Sequence, residues 1–78
     1  ELYHQLLYLM GRSKYNQGEF EPAIELFQQV GRESKHYVHA RFFEGISYIR
    51  MRRAQPAAKA FRDIIEGIDA GDVSGVDD

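Results

Sequence analysis

Pro22, Ala23 and Phe27 recur as Pro56, Ala57 and Phe61, each pair 34 residues apart. Laying residues 1–34 over 35–68 adds Tyr3/Tyr37, Gly11/Gly45 and Ser13/Ser47, which makes six identities. Random pairing at ordinary composition would give roughly two. Tyr8/Phe42, Leu9/Phe43 and Val30/Ile64 are conservative in the same frame. Most of the identities are Gly, Ala, Pro or aromatic residues, the types most tightly constrained by backbone geometry and close packing. A chain with this frame is expected to fold as two copies of one unit. At 78 residues the two copies must share one small core, close to the lower limit for a stable domain.

Each copy carries two helical patterns. Leu2, Tyr3, Leu6, Leu7, Leu9 and Met10 fall at three- and four-residue spacing, predicting a helix over about 2–16 that ends at Gln17-Gly18. Phe20, Ala23, Ile24, Phe27 and Val30 predict a second helix over about 20–31. Pro22 lies in its first turn, where a missing N–H costs nothing, and Glu19, Glu21 and Glu25 lie toward its positive end. The polar link from Gly31 to Ser34 reads as a turn. A third helix is expected over about 36–51, from Tyr37, Ala40, Phe43, Ile46 and Ile49. A fourth is expected over about 54–67, from Ala57, Ala60, Phe61, Ile64 and Ile65, with Lys59/Asp63 and Arg62/Glu66 on its wet face. The Gly- and Asp-rich segment 69–78 reads as a linker or disordered tail.

Composition narrows the function classes. A net charge of −2 gives no global attraction for nucleic acid or an anionic membrane. Without cysteine there is neither disulfide nor thiolate chemistry, and no Cys-based zinc site. Apolar runs of a few residues do not span a bilayer. The start at Glu1, already inside a helical pattern, reads as a piece of a longer polypeptide, so the compartment stays open between cytoplasm and periplasm. Ser13, Ser34, Ser47 and Ser74 lack a nucleophile-elbow pattern and no Gly-rich phosphate loop is present, so no enzyme is expected. His36 and His39, with Glu33 near, make only half a metal site, so neither metal nor cofactor is expected.

The stretch LYLMGRSKYNQGEFEPAIELFQQV, with its 34-residue recurrence, resembles the tetratricopeptide repeat. The family positions fall on Leu7, Met10, Gly11, Gly18, Phe20, Ala23, Phe27 and Val30, then on Gly45, Tyr48, Ala57, Phe61 and Ile64. Lys14 stands where the family commonly has Tyr, Arg52 replaces the second turn glycine, and Ala54 replaces the turn aromatic. Lys35 and Asp69 stand where a closing proline is frequent. The resemblance implies an all-α fold of about four helices, tandem helix-turn-helix repeats at 1–34 and 35–68 stacked as a right-handed α-solenoid. Gly11 would then meet Ala23 and Gly45 meet Ala57, with Phe27 and Phe61 packing between a repeat and its neighbour.

The resemblance also implies a binding scaffold whose first helices line a concave groove for a peptide or partner subunit. Carried over, the groove residues are Gln5, Tyr8, Arg12, Tyr15 and Asn16, then His39, Phe42, Ile46, Ile49 and Arg50. Aromatic residues and Arg are enriched at the energetic centres of interfaces. The clamp that some members use for a C-terminal carboxylate does not fit, because Tyr8, Arg12, Phe43 and Ile46 stand where its Lys and Asn residues would. Leu2, Leu6, Val30, Ile64 and Ile65 are expected as exposed apolar edges that meet adjacent repeats, a partner subunit or another copy. A purely structural bridging role is one alternative. A nucleic-acid contact through Arg50, Arg52 and Arg53 is a weaker one.

Overall fold

A computed structural model describes the backbone of residues 1–70 and the side chains of 1–68. It holds four helices and, among the described residues, no strand: α1 (Leu2–Asn16), α2 (Phe20–Gln28), α3 (Tyr37–Arg50) and α4 (Ala54–Ala70). Each helix packs on its chain neighbours, and α3 also touches α1. This is the expected all-α arrangement of helical hairpins.

Each hairpin turns in the same way. After α1, the Glu19 N–H donates to the Lys14 carbonyl at 2.9 Å and the Gly18 N–H to Tyr15 at 3.0 Å. After α3, Arg53 donates to Tyr48 at 2.8 Å and Arg52 to Ile49 at 2.9 Å. Both are Schellman closures, which satisfy the last carbonyls of a helix by reversing the chain through one left-handed residue. In the first turn that residue is Gly18, at φ 79°. In the second it is Arg52, at φ 64°, a conformation in which a Cβ crowds the following carbonyl. The turn therefore survives the loss of its glycine, with local strain. Pro22 and Pro56 occupy the third position of α2 and α4, within the first turn, where no intrahelical acceptor awaits the absent N–H.

Two helix ends differ from the sequence expectation. α2 stops at Gln28, three residues early. Gln29 and Val30 instead close tightened turns onto Leu26 and Phe27, and this swings Val30 inward. Val30 is therefore buried, not an exposed edge. α4 continues through Gly67 to Ala70. A glycine ends a helix only where the chain then reverses, and Ile68 instead extends the stripe of Phe61, Ile64 and Ile65 by another turn. The rest of the expected tail, 71–78, lies outside the described residues.

The core is centred where α1, α2 and α3 meet: Leu7, Ala23, Phe27, Val30 and Ala40, flanked by Tyr8, Tyr15, Leu26 and Phe43. The two shared glycines position its largest members. A Cβ on Gly11 would stand 2.5 Å from Cε1 of Phe27, and one on Gly45 would stand 2.6 Å from Cε1 of Phe61. The atoms nearest a Cβ placed at each glycine are thus those of its own unit's Phe ring. Phe27 also reaches the next unit, stacking on Phe43 with ring centres 6.1 Å apart. It is fully buried, whereas Phe61, with no described helix beyond α4, is half-buried.

Candidate functional site

The seam between α1 and α3 is an aromatic lattice with two guanidinium groups set into it. Tyr8 on α1 stacks on His36 at 5.5 Å, tilts against His39 at 6.2 Å, and contacts Phe43 at 6.4 Å. Tyr15 meets Phe43 edge-on at 5.4 Å and Phe20 at 5.6 Å. The Arg12 guanidinium lies 4.2 Å from the centre of the Phe43 ring and donates from Nη1 to the Tyr8 hydroxyl at 3.1 Å. Arg50 lies 5.1 Å from the centre of the Phe20 ring and 6.0 Å from that of Tyr15. A cation over an aromatic face is held by the ring quadrupole, so these long side chains are set in place before any partner arrives.

Tyr8, Arg12, Tyr15, His39 and Arg50 are thereby brought together by direct contact with one another or through Phe20 and Phe43. Phe42 joins through Phe43, edge-on at 5.4 Å, and is 44% exposed. Gln5, Asn16 and Ile49 are exposed and Ile46 is half-buried, without ring or side-chain hydrogen-bond partners of their own. Phe20 and Phe43 are lattice members outside the candidate groove positions, although Phe20 is one of the repeat-pattern positions. The clue for Phe43 was its place four residues after His39 on an amphipathic helix.

The histidines and arginines at the helix ends disperse. His36 Nε2 lies 3.6 Å from the Glu1 carboxylate, while Glu33 pairs with His4 at 3.5 Å. Ser34 donates to Glu1 at 2.8 Å, and this hydrogen bond is the main influence holding the Glu1 carboxyl below its ordinary pKa. Arg50 turns to the aromatic lattice, Arg52 forms the strained turn, and Arg53 borders a cleft with Glu21 and Glu25.

A second polar feature lies between α2, α3 and α4. Glu44 is buried, accepting from Arg41 Nη1 and from Gln28 Nε2, the latter at 3.0 Å. Gln28 also donates to the Tyr48 hydroxyl at 3.3 Å, and Arg41 lies 5.1 Å from the centre of the Tyr37 ring. Burial works against the Arg41 charge, but Tyr37 and Glu44 outweigh it and the net direction of its pKa is upward. Gln28, Arg41, Glu44 and Tyr48 line a cleft of about 310 Å³ together with Lys59 and Asp63. The pair was legible in the repeat frame: Arg41 and Glu44 stand where the first unit has Leu7 and Met10.

No helix among the described residues is long and apolar enough to cross a membrane. No curated protein and no solved structure matches the chain. The family model of the tetratricopeptide repeat matches residues 5–34, the segment containing α1, α2 and the Schellman turn between them. Over that segment the chain is similar to the tetratricopeptide repeat, a helical protein-interaction module.

Proposed function

We propose that this chain is a non-catalytic binding module of a larger protein, and that its α1/α3 face receives a peptide or a segment of a partner subunit. Residues 1–34 and 35–68 act as two repeats, since both hairpins close through the same hydrogen bonds and seat the same Phe on the same Gly. The observation that carries the reading is the lattice itself. Tyr8, Arg12, Tyr15 and Arg50 are held by ring contacts, so a partner meets a surface that needs little further ordering. Phe42 and Ile49 add exposed apolar area on the same helix as Arg50.

Placing a photo-crosslinking amino acid at single positions in cells tests this. A probe at Gln5 or Phe42 is expected to capture a partner, and a probe at Arg62, on the exposed side of α4, is expected to capture none. The reverse pattern would refute the proposal.

A second reading, structural bridging, has its own observation. Leu2, Leu6, Leu9 and Met10 on α1 are about half exposed or more, as are Ile65 and Ile68 on α4. Bridging is expected to place crosslinks at Leu6 and Ile65 and to leave Phe42 free.

A further inference from the structure

The near-neutral net charge hides a segregation between helices. α1 and α3 hold Arg12, Lys14, Arg41 and Arg50 against a single acid, Glu44. Among the residues whose side chains are described, α2 and α4 hold Lys59 and Arg62 against Glu21, Glu25, Asp63 and Glu66. The first and third helices are therefore net basic, and the second and fourth, taken together, are net acidic.

Internal pairing removes half of the basic groups on α1 and α3. Arg41 takes Glu44, and Lys14 reaches Glu19 at 3.4 Å. Arg12 and Arg50 are left, and neither meets a carboxylate among the described residues. Arg12 spends one donor on Tyr8, and its Nε is shielded from water without an acceptor. Both guanidiniums flank the Tyr15–Phe43 ring pair, and no acidic residue stands among the candidate groove positions of either helix. A guanidinium gains most from a carboxylate, through paired charge-assisted hydrogen bonds.

From this charge complementarity we propose that the segment received on the α1/α3 face is acidic, with Asp or Glu side chains interleaved with aromatic or aliphatic ones. The inference rests on the binding-face reading above and adds the chemical class of its partner. The carboxylates pair with Arg12 and Arg50, and the apolar side chains settle on Phe42 and Ile49. The acids of α2 and α4 repel the same segment from the other helices, so charge selects the face as well as the partner.

The test is selection from a displayed library of random peptides against the chain, followed by fluorescence anisotropy of the winners at low and physiological salt. Winners are expected to be enriched in Asp and Glu beside apolar residues. Replacing their acids by Asn and Gln is expected to weaken binding at least tenfold, with a flatter salt dependence. Arg50→Gln, at an exposed position that does not threaten the fold, is expected to weaken binding about tenfold. Arg62→Gln is expected to leave it unchanged. Arg12→Gln is read beside a thermal melt, because Arg12 is half-buried.

Neutral or basic winners that lose affinity with Phe42→Ala overturn the acidic class and leave the binding face standing. Winners indifferent to substitution at Tyr8, Arg12, Phe42 and Arg50 overturn both, as does a library that yields no binder.

Discussion

Gly11 and Gly45 hold equivalent places against Phe27 and Phe61, yet the two sites differ in how far each ring can yield. Phe27 is enclosed by α1, α2 and α3, whereas Phe61 has solvent beside it. Gly11→Ala gains up to about 1 kcal/mol of helix propensity but forces an enclosed ring to shift, which costs about 1–3 kcal/mol. Gly45→Ala meets a ring that can move outward. Thermal melts of the two variants are expected to show a clear loss for Gly11→Ala and a smaller loss, or none, for Gly45→Ala. Equal losses would mean that Phe61 is as confined as Phe27. The left-handed Arg52 points in the opposite direction. Arg52→Gly relieves a strain of about 1–2 kcal/mol and pays back part of it in unfolded-chain entropy. It is expected to raise the denaturation midpoint by about 0.5–1 kcal/mol of stability at unchanged slope. The repeat frame revealed this position, because Gly18 faces it across the 34-residue shift.

Among the elements, α3 has the most demanding surroundings, lying between α2 and α4 and touching α1. Its Arg41–Glu44 pair, braced by Gln28 on α2, is buried enough that losing one partner strands the other. Glu44→Ala is expected to cost about 3 kcal/mol, near the lower end for breaking a buried pair. The double variant Arg41→Leu with Glu44→Met restores the residues of the first unit and is expected to recover most of that loss. Urea titration of the single and double variants decides between them. A double variant as unstable as the single would show that α3 needs the ion pair to sit correctly on α2. Helix identity and approximate bounds were legible from the spacing of apolar residues. The end of α2 was not, because nothing local marks Gln28 as the last helical residue: the chain leaves the helix where Val30 joins the core cluster of Leu7, Phe27 and Ala40. The same limit applied to the α1/α3 lattice. Sequence spacing placed Tyr8, Arg12 and Tyr15 on one face, but their contacts with Phe43 depend on how α3 packs.

For the molecule as a whole, the two ends are the least satisfied regions. α1 exposes Leu2, Leu6, Leu9 and Met10 on one side, and α4 exposes Ile65 and Ile68 on the other. A repeat buries its apolar faces by stacking on neighbours, so open ends carry the association tendency of a solenoid. Leu6→Ser and Ile65→Ser lie at exposed positions and are expected to change the melting transition by no more than about 0.5 kcal/mol. They are also expected to reduce concentration-dependent association in sedimentation velocity. Loss of peptide binding in these two variants, with α1 and α3 intact, would move the binding site from the α1/α3 face to the ends.

The sequence by itself determined the unit. The 34-residue frame, the shared Gly and Phe, the helix-starting prolines and the helical spacing of apolar residues are local constraints, and they act alike in both copies. What each copy does with the same residue was decided by tertiary structure. Tyr3 is 62% exposed and its partner in the frame, Tyr37, 4% exposed. Ser13 stands at the surface accepting from Gln17, while Ser47 is fully buried and donates to the Phe43 carbonyl at 2.7 Å. The cause is position in the stack: α3 is covered by the hairpin of α1 and α2, whereas among the described residues no hairpin precedes α1. Burial depends on what lies across the helix, and a repeat cannot record within itself whether a neighbour is there.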